Sequence, residues 1–331
     1  MSGVGVPHDA FFKRLLAEPG AAGTLIRERL PAKVTALLGP EAPELMPGSF
    51  VDEALASHHS DLLYRVRTKD DQPALIYVLI EHKSQPDRMT PLQLLRYMVR
   101  IWAKWTVEEG SEGLPAIVPL VVYHGTTDWT VPRDFVSLFA TPEPLRPYLP
   151  QFHYEIADLG RIRDDELSEL AALRAGLLAL KYVYREELAA RLGHILGVLR
   201  GRELDFVLAV LRYVLSGPGR LADEELRAAI ASALPEQEGS IMSTLTDQWL
   251  AQGLERGLAQ GRVEGRVEGR VEGQAEGRTE MLVRLLERRF GPLPATRRRQ
   301  LGEADAATLE RWFDRALDAA TLEAVFAPTD A

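Results

Sequence analysis

Apolar residues recur at helical spacing through His8-Asp9-Ala10-Phe11-Phe12-Lys13-Arg14-Leu15-Leu16, and Pro19-Gly20 ends the pattern. A second short helix is expected over 24–30, halted before Pro31. Residues 40–50 hold Pro40, Pro43, Pro47 and Gly48 and read as a loop. The pattern then changes to that of strands. Ser60–Arg67 alternates, Lys69-Asp70-Asp71-Gln72-Pro73 is a turn cluster, and Ala74–Ile80 is a nearly unbroken apolar run suited to a strand buried on both faces. A long amphipathic helix is expected from Thr90 to Glu109, a third strand at Ala116–Tyr123 and a fourth at Phe152–Ile156.

Beyond Asp164 every pattern is helical. Asp164-Asp165 is suited to cap a helix running to Leu180, and further helices fit 186–199, 203–215 and 222–233. Glycine then recurs every fourth position from Gly253 to Gly277, with Gly-Arg-Val-Glu repeated over 261–272. Four residues advance a helix by about 400°, so each stripe winds by about 40° per repeat. Such a period favours a right-handed supercoil. Glycine costs about 1 kcal/mol per residue against alanine, and the Arg and Glu stripes stack like charges at i, i+4. An isolated helix here is therefore poor. Either a partner helix uses the small residues for close approach, or the segment is a flexible charged linker. Self-association is the favoured expectation. Amphipathic helices at 280–290 and 304–319 end the chain.

The 331 residues suit about two domains, with an apolar fraction of 46% that excludes a wholly disordered chain. No apolar run reaches membrane-spanning length, and no secretory leader is evident. The chain has no cysteine, so thiol catalysis and disulfides are excluded and a reducing cytoplasm is the expected setting. With 39 basic and 48 acidic residues the net charge is −9, so nucleic acid would require a local basic patch or a bound cation.

That condition draws attention to the first hairpin. If its turn centres on Asp71, Asp61 lies opposite Glu81, and Glu81 and Lys83 share a strand face. A register error of one residue would turn a partner to the other face. Two converging carboxylates favour a shared divalent cation, Mg²⁺ being the expected one. A nearby ammonium would serve the attacking water and offset developing phosphorane charge. The same residues also fit a plain surface ion pair between Glu81 and Lys83.

Asp61, Glu81-His82-Lys83 and their strand contexts resemble the core of the PD-(D/E)xK nucleases. A longer string is more specific: His8-Asp9-x-x-Phe12-Lys13, Asp61-Leu62-Leu63-Tyr64, Ile80–Gln85, Leu95-Arg96-Tyr97 and Val121–Gly125. Together these resemble the Rpn family of recombination-promoting nucleases, whose members are often labelled "putative transposase". The resemblance covers roughly residues 7–160. It implies an α/β fold with a restriction-endonuclease-like mixed sheet flanked by helices, which the helical pattern beyond Asp164 continues as an all-helical C-terminal region. It further implies a Mg²⁺-dependent DNA endonuclease promoting recombination, with Asp61 and Glu81 as metal ligands and Lys83 serving the water. Asp9 would be an accessory acid from the first helix. Lys83 stands where many members carry Gln, which brings this chain nearer the general nuclease pattern, whereas no proline precedes Asp61. Gln93 and Tyr97, one helical turn apart, resemble an accessory motif of exonuclease-like members of that superfamily. They equally fit a polar pair at a core edge.

Arg96, Arg100 and Lys104 form an i, i+4 stripe on the same helix, with no acid between Arg88 and Lys104. This is the expected DNA-contacting patch, extended by Lys13, although an ordinary solvated face has the same pattern. His8, His82 and His124 are not read as a zinc site: His82 is expected to be a buried core histidine and His124 a strand-end or active-site rim residue, and Trp102, Trp105 and Trp129 are read as packing residues. The expected organisation is a nuclease-like domain at 1–160, a helical lobe at 161–238, a glycine-repeat assembly segment at 239–290 and a helical tail at 291–331. The alternative function is a catalytically weak DNA-binding or assembly scaffold on the same fold. A transposase proper is disfavoured, because no helix-turn-helix with a basic recognition helix is visible.

Overall fold

The computed structural model describes residues 7–47, 61–70, 73–81, 86–108, 113–218 and 221–327. The apolar stripe of α1 (Pro7–Leu16) buries Phe11, Phe12, Leu15 and Leu16. α2 (Ala21–Arg29) follows Gly20, whose φ of 77° is a left-handed conformation that glycine adopts without a Cβ clash. After α3 (Ala32–Thr35) the chain forms β1 (Glu44–Leu45), which pairs with Arg65 and Tyr64 and lies in the stretch expected to be a loop. Composition alone hid this two-residue edge strand, because prolines flank it and it is too short to show a period.

β2 (Asp61–Arg67), β3 (Pro73–Glu81), β4 (Ala116–Tyr123) and β5 (Glu155–Asp158) complete one five-stranded sheet in the order β1-β2-β3-β4-β5. β1–β2–β3 are antiparallel, and β3–β4–β5 are parallel. Parallel neighbours need a crossover, which α4 (Thr90–Glu108) supplies between β3 and β4. The fold is thus mixed α/β, as the alternation of patterns indicated. β5 starts at Glu155 rather than Phe152. Phe152 and Tyr154 are held instead by the segment before them: Phe135 N–H donates to the Phe152 carbonyl, and Tyr154 N–H to that of Arg133.

Period-two alternation sorts the two faces. Leu63, Leu75, Ile117, Val121 and Tyr123 form one core with Leu94, Tyr97, Met98, Ile101 and Trp105 of α4. Trp129 joins the same core, so Trp105 and Trp129 are packing residues as read. Leu62, Tyr64, Val66, Ala74, Ile76, Leu120 and Val122 are buried on the opposite face. There α1 packs against α5 (Ala171–Tyr182) and α7 (Leu204–Leu215), with α6 (Leu188–Val198) and α8 (Asp223–Ala233) beyond. α1 and α5 approach so closely that a Cβ at Gly176 would collide with Leu15.

The helix expected from Asp164 begins only at Ala171. Residues 164–166 form a 3₁₀ turn because the Asp164 carboxylate is used elsewhere. Lys181 Nζ lies 2.8 Å from it, the Tyr182 hydroxyl donates to both oxygens at 2.9 Å, and Arg191 stands at 3.7 Å. Lys181 also donates to the Ile162 carbonyl at 2.6 Å. Burial pushes the Asp164 carboxyl up, but the hydrogen bonds and the charges of Lys181 and Arg191 outweigh it and hold the group below its ordinary 3.8. A depressed carboxylate stabilises the fold above its unfolded pKa, and that contribution disappears as pH falls through the folded value. Asp164→Asn is therefore expected to cost about 1.5–3 kcal/mol at pH 7 and to lose that deficit below pH 4. Urea unfolding of both proteins at pH 7 and pH 3 checks this, and an equal deficit at both values would contradict it.

Two compact units divide the chain, Met1–Ser243 and Thr244–Ala331. The first holds the sheet together with α5–α8. α9 (Glu238–Phe290) is one 53-residue helix, and the glycine repeat lies within it rather than in a loop. In the second unit, Leu282 and Leu286 of α9 form a small core with α10 (Ala295–Gly302), α11 (Ala306–Asp318) and α12 (Leu322–Val325). The Arg289 guanidinium caps the end of α11 through the carbonyls of Ala316, Leu317 and Ala319.

Candidate active site

The register of β2 and β3 is two residues away from the one expected. Asp61 lies opposite Leu79, not Glu81, because the strands close at Arg67↔Pro73 around a loop centred on Asp70. A slip of two preserves parity. Positions 61, 79 and 81 therefore still fall on one face of the sheet, with 61 and 81 diagonal neighbours whose Cα atoms are about 7–8 Å apart. In the parallel pairing Glu81 is level with Tyr123. Lys83 and His82 lie outside the described residues.

That face is the one α4 covers, and the level of each α4 residue follows from two contacts. Trp102 donates to the Pro115 carbonyl at 2.9 Å, just before β4 starts. The Arg65 guanidinium lies 5.1 Å from the Trp105 ring, and Arg65 pairs with Leu75. The C-terminal half of α4 thus sits over the N-terminal edge of β3 and β4. Tyr97, two turns back from Trp105, is about 12 Å higher at 1.5 Å per residue. Strands rise about 3.3 Å per residue, so this is the level of Asp61, Leu79 and Val121. Gln93, about 18 Å above Trp105, reaches the level of Glu81. Tyr97 is buried in the core and Gln93 is half-buried. The hairpin and α4 thus carry Asp61, Glu81, Gln93 and Tyr97 to one edge of one face.

α1 reaches the same edge from the other layer. His8, fully buried, has its ring 5.2 Å from that of His124, the residue after Tyr123. Asp9 is therefore carried to the end of β4, half-exposed. Around His8 the structure assembles residues that the sequence reading did not single out. Nδ1 lies 2.6 Å from the Tyr213 hydroxyl and Nε2 lies 2.6 Å from that of Tyr184. Tyr213 stacks on Phe11 at 4.1 Å, and His124 Nδ1–H donates to the Leu180 carbonyl at 3.2 Å. Burial pushes the Tyr213 and Tyr184 hydroxyls above their ordinary pKa. His8 and His124 are both buried, so His124 is a core residue rather than the strand-end or rim residue expected. Nothing local marks Tyr184 or Tyr213, because their partner is some two hundred residues away.

The expected basic residues differ in exposure. Arg96 is exposed and Arg100 half-buried, while Lys104 pairs with Glu108 at 3.4 Å, an acid just beyond the stretch free of acids. Lys13 lines a cleft of about 710 Å³ with Arg27, Leu62 and Tyr64, on the α1–α2 side of the sheet. Among the described residues no group of three or more His, Asp or Glu side chains is placed to hold a metal ion. Neither does any helix among them have the length and apolarity to cross a membrane.

Residues 6–205 match the family described as "Putative transposase, YhgA-like". The chain is 27% identical over 242 residues to recombination-promoting nuclease RpnD of Escherichia coli O157:H7, covering 72% of this chain and 92% of that protein. It is 26% identical over 240 residues to recombination-promoting nuclease RpnA of E. coli K12, covering 72% and 81%. At 27% over 240 residues, with 72% and 79% covered, it equally resembles the inactive recombination-promoting nuclease-like protein RpnE of that strain. No solved structure matches. With the family description spanning the sheet and the helices through α6, and these relatives extending across most of both chains, the protein belongs to the recombination-promoting nuclease family, the YhgA-like group.

Proposed function

We propose that this protein is a divalent-metal-dependent DNA endonuclease of PD-(D/E)xK type. The observation that carries the reading is the register: positions 61 and 81 lie on one face, at one edge, under the first turns of α4. The donor set suits Mg²⁺, which takes one or two carboxylates and leaves room for water and a phosphate oxygen. Asp61 and Glu81 would hold it, with Asp9 accessory. When bound, the cation polarises the phosphate and makes bound water more acidic. The Lys83 ammonium offsets charge developing on the phosphoryl oxygens and orients the water. Tyr97 and Gln93 present a phenol and an amide at the levels of Asp61 and Glu81. Arg96 and Arg100 draw the polyanion towards this edge against the overall negative charge. The cytoplasm, which holds both DNA and Mg²⁺, is the compartment this activity requires.

The glycine-repeat helix is proposed as the assembly segment of a homo-oligomer. Among the described residues, added Cβ atoms at Gly261, Gly265 and Gly269 would meet nothing within 4 Å. Leu250, Leu254 and Leu258 are exposed at i, i+4 spacing on the same helix. The triple variant Gly261→Ala/Gly265→Ala/Gly269→Ala is expected to raise helicity, by up to about 1 kcal/mol per site. If the glycines provide close helix approach, the same variant becomes monomeric. Sedimentation of both proteins decides it: unchanged association would exclude a glycine contact.

A second reading is supported by the relatives named inactive, among them RpnE. In that reading the fold binds DNA without cleaving it. Plasmid cleavage by the purified chain, with and without Mg²⁺ and beside Glu81→Ala, separates the two. Metal-dependent nicking lost in the variant is the expected outcome. Salt-sensitive binding with no cleavage by folded wild type would favour the scaffold.

A further inference from the structure

Thr90, the first residue of α4, is fully buried, and among the described residues its hydroxyl oxygen has no hydrogen-bond partner. The same holds for the Nε2 of Gln93. A buried polar atom without a partner costs free energy that an apolar side chain of the same shape avoids. Two of them, three positions apart on one helix face, need a reason. Thr90 extends the stripe of Leu94, Tyr97, Met98, Ile101 and Trp105 that faces the sheet. By rise per residue it lies about 22 Å above Trp105, while the row of Glu81 lies about 20 Å above that of Leu75. Thr90 and Gln93 thus lie at the level of the edge that carries positions 61 and 81.

Their chemistry restricts what they can take. An amide nitrogen only donates and a hydroxyl can donate, so one accepting oxygen would satisfy both. The first turn of a 19-residue helix also favours negative charge. Part of that turn is already satisfied: Met89 N–H donates to the Asp87 carboxylate at 2.8 Å, and Thr90 N–H to the Asp87 carbonyl at 3.0 Å. The side chains, rather than the backbone, therefore remain to be filled.

We infer that Thr90 Oγ1 and Gln93 Nε2 form a subsite for a non-bridging oxygen of a nucleic-acid phosphate, with Thr90 a substrate-positioning residue. The inference rests on the nuclease reading for the identity of the anion. In the free protein the two donors stay unpaired, and the bound phosphodiester satisfies them.

Thr90→Val keeps the shape and removes only the hydroxyl. Relief of an unpaired buried group is expected to raise the thermal midpoint by about 2–4 °C. Loss of one charge-assisted hydrogen bond should weaken binding of a short DNA duplex about tenfold, measured by anisotropy in Ca²⁺ without turnover. Thr90→Ser, which keeps the donor, should retain wild-type binding. A lower midpoint in Thr90→Val means that the hydroxyl is already bonded within the fold, and overturns the inference. So does unchanged DNA binding. These readouts do not require cleavage, so an inactive wild type would sink the nuclease reading and leave the subsite to be judged on binding alone.

Discussion

Asp61→Asn is expected to lower metal-dependent plasmid cleavage by on the order of 10³ or more while the protein stays folded. The change removes one of the two charges that would hold the cation and leaves size almost unaltered. Glu81→Gln should do the same, and the double variant should cost little more than either single one, because groups that act as a unit are not additive. Lys83→Ala should also abolish turnover, but it removes no proposed ligand. Mg²⁺ binding measured by calorimetry should therefore survive in Lys83→Ala and be lost in Asp61→Asn. Asp61→Asn that still cleaves and still binds Mg²⁺ would remove position 61 from the site. This is a demanding test of the register: only a slip by an even number of residues leaves positions 61 and 81 on one face.

His8→Ala should be the most destabilising single change in the sheet unit, at about 3–5 kcal/mol in urea unfolding. The imidazole occupies a fully buried position and bridges the Tyr184 and Tyr213 hydroxyls, each at 2.6 Å. Its removal leaves a cavity and takes from both hydroxyls their shared partner. Tyr213→Phe deletes one oxygen and should cost less, about 1–2 kcal/mol. If the His8–Tyr213 hydrogen bond is what couples them, the two losses should fall short of additivity in a double-mutant cycle by about 1 kcal/mol. A His8→Ala protein within 0.5 kcal/mol of wild type would mean that α1 is held by Phe11, Phe12 and Leu15 alone. Because Asp9 follows His8, the same variant tests whether an accessory acid there depends on this anchor.

Much of the sheet unit was legible because its signals are local. Ala74–Ile80 has the length and β-branching of a buried strand, and it forms the centre of β3. The helical period at 90–109 became α4, within one residue. Where the reading failed, a distant contact had outbid a local one. Asp164 looks like a helix cap, yet Lys181 and Tyr182 hold its carboxylate, and the helix waits until Ala171. β1 is a strand only because β2 lies beside it.

By itself the sequence determined element type, the two faces of each strand and the four-residue winding of the repeat. These follow from backbone geometry and side-chain spacing within one segment. Only the tertiary structure decided the register of Asp61 against Leu79, the level of Thr90 on the sheet, and the meeting of His8 with Tyr184 and Tyr213. The reason is physical: spacing along a helix or strand fixes a direction, while a partner 176 or 205 residues away is chosen by packing.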